Sequence, residues 1–175
     1  MCILAVGLFF PAAIPVHADG TLMVSLPTYV AKPILRVGQT FQMNVSMSNS
    51  PGVYAWQVNV TFSPSMLQVS EISWGPDWRY PTSILGPGLN ALIVNNAGGS
   101  LLVAAVVPGA GTPLVQGSDV LFTITWTVMS NKAGTRLHIV TDAENPSRGT
   151  TFVFGLPYST VDGSFCNWNT RQTCS

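Results

Sequence analysis

Residues 53–72 read VYAWQVNVTFSPSMLQVSEI. Over the first ten, Tyr54, Trp56, Val58, Val60 and Phe62 alternate with Ala55, Gln57, Asn59 and Thr61. A period of two sends alternate side chains to opposite faces. The stretch therefore predicts a half-buried β-strand, its apolar row in a core and its polar row toward solvent. Ser63-Pro64 ends that strand, because proline has no N–H to give a central ladder. A second apolar run, residues 66–72, follows. Nothing in the stretch has the character of catalytic chemistry; the polar row offers a surface to a partner.

The same pattern extends in both directions. Residues 21–26 read as a short first strand. After Gly38, residues 40–48 alternate Phe41, Met43, Val45 and Met47 with polar neighbours, and Ser50-Pro51-Gly52 reads as a turn. Residues 73–90, SWGPDWRYPTSILGPGLN, read as a long loop rich in proline, glycine and aromatic residues. Residues 91–94 read as a strand before a turn at 95–99. The almost wholly apolar residues 101–107 suit a strand buried on both faces. Val120, Phe122, Ile124, Trp126 and Val128 form an inward row opposite Leu121, Thr123, Thr125, Thr127 and Met129. Residues 136–140, 151–154 and 161–165 complete the set. About nine short strands with no helical periodicity predict an all-β, nine-stranded sandwich of jelly-roll type.

Composition narrows the function. Hydrophobic residues make up 47% of the 175 and charged residues only 8%, with seven basic against seven acidic side chains. A zero net charge without clustered Lys and Arg argues against nucleic acid as a partner and against a polybasic membrane surface. Residues 1–18 read as a secretory signal, with an apolar run at 2–10 and Val16-His17-Ala18 as a small-x-small cleavage site. No Lys or Arg stands near Met1, so the true start is expected upstream or Met1 is a misassigned initiator. No later stretch has the length of a membrane span. The mature chain is therefore expected to be secreted or displayed at the cell surface, with one domain over residues 19–166 and a tail over 167–175. In that compartment Cys166 and Cys174 are expected to pair as a disulfide closing the tail.

Val37-Gly38-Gln39-Thr40-Phe41, Pro51-Gly52-Val53-Tyr54-Ala55-Trp56 and Phe62-Ser63-Pro64-Ser65-Met66-Leu67 occur in that order. They are followed by Gly99-Ser100-Leu101-Leu102-Val103-Ala104, Gly117-Ser118-Asp119-Val120-Leu121-Phe122 and Asp162-Gly163-Ser164-Phe165. Together these pieces resemble the cohesin family and related carbohydrate-binding-like sandwiches over residues 20–166. The resemblance implies a nine-stranded jelly roll with first and last strands paired, no catalytic activity, and a protein partner such as a dockerin. It places the partner on the polar row of residues 53–62, at Gln57, Asn59 and Thr61. Family members carry an Asn and an acidic residue in that row, whereas this chain has Ala55 and Gln57, which departs from standard dockerin recognition. Self-assembly in a surface layer is the other protein contact considered.

Other motifs point elsewhere. Asn44-Val45-Ser46 and Asn59-Val60-Thr61 are sequons with both Asn on polar rows, hence candidate glycosylation sites. Trp74, Trp78 and Tyr80, beside Asp77 and Arg79, are candidates for stacking on a polysaccharide, or for folding over the end of the sandwich. His138, Asp142 and Glu144 form the nearest approach to a metal constellation. The 142–146 turn would suit Ca2+; no other cofactor, and no catalytic residue, is implied.

Overall fold

In a computed structural model, the structure describes residues 22–53, 55–76, 91–106, 115–131, 134–152 and 156–167. These form strands β1 (Leu22–Ser25), β2 (Thr28–Ala31), β3 (Thr40–Val53), β4 (Ala55–Thr61), β5 (Leu67–Trp74) and β6 (Ala91–Asn95). They continue with β7 (Ser100–Val106), β8 (Val115–Val128), β9 (Gly134–Val140), β10 (Thr151–Phe152), β11 (Tyr158–Val161) and β12 (Gly163–Asn167). One sheet runs β11-β1-β3-β8-β5; the other runs β2-β12-β9-β4-β7-β6, with β10 beside β4. The molecule is an all-β sandwich.

First and last strands pair in parallel twice. β1 lies against β11 in one sheet, and β2 against β12 in the other. Both strand pairs pass from one sheet to the other together, at Pro27 and Asp162. Gly163 makes the crossing close: a Cβ there would sit 2.5 Å from the Pro27 carbonyl oxygen. Between the sheets the inward rows meet. Trp56, Val58, Val60 and Phe62 pack with Leu101, Val103, Phe122, Ile124, Trp126 and Ile139, all buried. Aromatic contacts tie the layers: Trp56 stacks on Phe122 at 5.6 Å, Phe41 on Phe165 at 4.7 Å, and Phe62 meets Trp126 edge-on at 5.0 Å. Each such pair adds about 0.5–1.5 kcal/mol beyond its buried area.

Several expectations from the sequence are corrected. Ser50-Pro51-Gly52 is no turn; β3 runs through it to Val53, with register shifts at Met47/Ser50 and Ser50/Val53. A bulge tolerates Pro51, which has no ladder N–H, and uses Gly52 at φ +127° and Asn49 at +56°. Another bulge, between Val45 and Ser46, pairs Val45 with Phe122 and Ser46 with Val120, so Leu121 turns inward and is fully buried instead of facing solvent. Trp74 belongs to β5 rather than to a loop and pairs with Phe122. The last strand is broken at Asp162, whose carboxylate Oδ1 accepts the Ile139 N–H at 2.8 Å in place of a ladder carbonyl. Finally, β7 is buried on one face only: Leu101, Val103 and Ala105 are inside, while Leu102, Ala104 and Val106 are half-exposed.

Candidate functional site

The outer face of β9-β4-β7-β6 is built in rows, because residues paired across strands share a face. His138, Thr61, Ser100 and Asn95 form one row; Val140, Asn59, Leu102 and Ile93 form the next; Gln57, Ala104 and Ala91 form a third. The first is polar. The second and third carry an apolar strip on β7 and β6, where Ile93 is 51% exposed. Among the described residues β6 is an edge strand, and even its inner-row Leu92 and Val94 remain 49% and 39% exposed.

Toward β4 this face is covered. Residues 141–150 leave the sheet between β9 and β10 and return, so that one strand beside β4 is interrupted by a flap. Thr141 and Thr150 close it as a bridge, and the Thr150 N–H donates to the Val140 carbonyl at 2.7 Å. Inside the flap, the Gly149 N–H donates to the Asn145 carbonyl at 2.6 Å. Gly149 approaches so closely that a Cβ would lie 2.2 Å from the Thr141 carbonyl oxygen. The flap sits on the polar row of β4. Gln57 Nε2 donates to the Gly149 carbonyl at 2.8 Å, Asn59 Nδ2 to the Arg148 carbonyl at 2.9 Å, and Thr150 Oγ1 accepts the Asn59 N–H at 3.2 Å.

A polar cluster fastens the flap from the side. His138 Nδ1 lies 2.8 Å from Asp162 Oδ2 and its Nε2 lies 3.1 Å from Glu144 Oε1. Both nitrogens face carboxylate oxygens. Arg136 Nε donates to the same Asp162 oxygen at 2.9 Å. Glu144 Oε2 accepts the Thr141 N–H at 2.7 Å and its hydroxyl at 2.9 Å. The Thr141 N–H and then its hydroxyl, with His138, hold Glu144 below the usual carboxylate range. Burial works to raise Asp162, but the Ile139 N–H, His138 and Arg136 outweigh it and hold this carboxyl low as well. Asp142 Oδ1 accepts the Tyr158 hydroxyl at 2.9 Å. The carboxylates of the 142–146 turn thus take protein donors. Among the described residues, no group of three or more His, Cys, Asp or Glu is arranged to hold a metal.

The sequence-based candidates fall out as follows. Gln57 and Thr61 lie on the face, half-buried. Asn59, expected to be accessible, is only 8% exposed, and Ala55 of the same row 5%; the flap is what covers Asn59. Asn44 is exposed on β3, on the opposite sheet. Trp74 packs against the core, its ring 6.2 Å from that of Trp56, rather than standing out as a sugar platform. Trp78, Tyr80 and Cys174 lie outside the described residues, and Cys166 is fully buried. No helix among the described residues is long and apolar enough to cross a membrane. Sequence reasoning missed Ile93, Leu102 and Ala104. The signal for Leu102 and Ala104 is the unbroken apolar run at 101–107, and for Ile93 the apolar run at 91–94.

A cohesin-domain family model matches residues 29–165. No curated protein sequence matches the chain. Among solved structures, the third cohesin of ScaC from Acetivibrio cellulolyticus, in complex with the ScaB dockerin, is 18% identical. It aligns over 85% of this chain and all of its own, with a TM-score of 0.65. CaCohA2 from Clostridium acetobutylicum is 13% identical over 86% of this chain and 92% of its own, with a TM-score of 0.66. A non-cellulosomal cohesin from Archaeoglobus fulgidus is 13% identical over 87% and 94%, with a TM-score of 0.57. At these identities the likeness is one of fold.

Proposed function

The chain belongs to the cohesin family, and we propose that it is a non-catalytic interaction module that docks a dockerin-like protein through the outer face of β9-β4-β7-β6. The observation that carries this reading is the apolar strip of Ile93, Leu102 and Ala104 beside the hydrogen-bonding row of Thr61, Ser100 and Asn95. An apolar patch rimmed by polar groups is the anatomy of a protein interface. The dockerin in the Acetivibrio cellulolyticus complex supports the partner class. Because the strip is uncharged, affinity here comes from burial and shape and depends little on salt. The wider setting is an exported one: residues 1–18 are a leader, residues 19–166 the module, and a Cys166–Cys174 bridge closes the tail at the cell surface or outside the cell.

Titration calorimetry of the folded chain against a panel of dockerin modules tests the docking reading. At least one module is expected to bind, with affinity falling ~10–100-fold in Leu102→Asp and Ile93→Asp while both variants melt as the parent does. Binding that survives both substitutions, or a panel with no binder, overturns it.

A further inference from the structure

We propose that Asn44, and not Asn59, is an N-glycosylation site, and that its glycan covers the outer face of the five-stranded sheet. Both sequons, Asn44-Val45-Ser46 and Asn59-Val60-Thr61, put their Asn on the polar row of an alternating strand. The fold separates them. Asn59 lies beneath the flap, 8% exposed, with Nδ2 given to the Arg148 carbonyl. A sugar on that nitrogen would replace one of its two hydrogens and would need the space that residues 148–150 occupy over Asn59.

Asn44 is exposed near the middle of β3. Its Oδ1 accepts the Thr123 hydroxyl at 2.8 Å, which fixes the amide, and among the described residues its Nδ2 has no partner. Its neighbours on the face are polar: Gln42 on the same strand, Thr123 and Thr125 on β8, and Ser73 and the exposed Glu71 on β5. Nδ2 attacks the anomeric carbon of a polyprenyl-phosphate-linked oligosaccharide. The N–C bond forms as the bond from that carbon to the phosphate oxygen breaks. The polyprenyl phosphate leaves with the electron pair, and the amide proton passes to a base of the transferase. The acceptor, Asn-x-Ser, is complete in Asn44-Val45-Ser46. The glycan then lies on the sheet opposite the proposed docking face and leaves that face clear.

The test is glycopeptide mass mapping of the full chain secreted from a host that has an oligosaccharyltransferase. The peptide carrying Asn44 is expected to bear the glycan mass and the peptide carrying Asn59 to be bare. Asn44→Gln loses the glycan, and so does Ser46→Ala, which keeps the Asn44–Thr123 contact and covers the case in which the first variant misfolds. Asn59→Gln leaves the glycan in place. An unmodified Asn44 in the secreted folded protein, or a glycan on Asn59, overturns the proposal. The readout is mass, so it stands or falls separately from dockerin binding.

Discussion

Asn59 Nδ2 donates to the Arg148 carbonyl across 2.9 Å, joining the centre of β4 to the far end of the flap. The bond is part-buried; beside it Gln57 Nε2 donates to the Gly149 carbonyl, and the Thr150 hydroxyl accepts the Asn59 N–H. Deleting one member of a part-buried hydrogen bond costs about 0.5–1.5 kcal/mol. Asn59→Ala is therefore expected to lower stability by about that amount and to speed hydrogen exchange at the amides of Gly149 and Thr150. Asn59→Asp is expected to be worse, since it sets a carboxylate oxygen against a carbonyl oxygen. Equal stability of the two variants would remove this bond as the fastening of the flap.

Gly149 makes a second, independent demand on the same segment. Its missing Cβ is what lets it pass the Thr141 carbonyl. Gly149→Ala must push backbone apart, at a cost of about 1–3 kcal/mol, and the damage is expected to stay in residues 141–150. Gly163→Ala meets the Pro27 carbonyl at the place where two strands change sheet together, so its effect is expected to reach both sheets. Exchange mapping of the two variants distinguishes a local from a global loss. Matching maps would contradict the assignment of residues 141–150 as a separable flap.

The cluster around His138 gives the fold an acid-sensitive edge. Asp162 and Glu144 are both held below their ordinary values in the folded protein. A carboxyl depressed by folding adds stability that is complete above its unfolded value, near pH 4, and that is lost as pH falls through the lower folded value. Melting temperature is thus expected to fall with acid from about pH 4 downward. In Asp162→Asn it should start lower and fall less steeply, because the titrating group is gone. An acid slope as steep in the variant as in the parent would show that other groups carry the transition.

The sandwich was legible because its core rows repeat with period two: every residue of the inward row at Trp56, Val58, Val60 and Phe62 is buried. The face was less legible, for three physical reasons. A bulge resets the inside-outside register without any mark in the alternation, as at Leu121. A polar residue on an outward row can be covered by a segment remote in sequence, as residues 148–150 cover Asn59. And an apolar run does not say whether its second face is hidden by the fold or awaits a partner, as at Leu102 and Ala104. The flap itself was visible only as the polar turn at 142–146; its fastening depends on Asp162 and Asn59, which no local pattern connects to it.

Edge strand β6 supplies the remaining prediction. Leu92, Ile93 and Val94 stand exposed in sequence on a strand that, among the described residues, pairs on one side only. Sheet edges are commonly guarded by Lys, proline or a bulge; β6, with sequence ALIVN, has none of these. The chain's net charge of zero supplies no long-range repulsion between copies. The free chain is therefore expected to self-associate as concentration rises, by adding strand to strand at β6. Ile93→Lys places a charge on the edge while removing little buried area, so it should suppress association in light scattering without changing the melting temperature. A dockerin-like partner seated on Ile93 and Leu102 would cover the same side chains and should suppress association in the same way. If association persists in Ile93→Lys, copies meet through another surface.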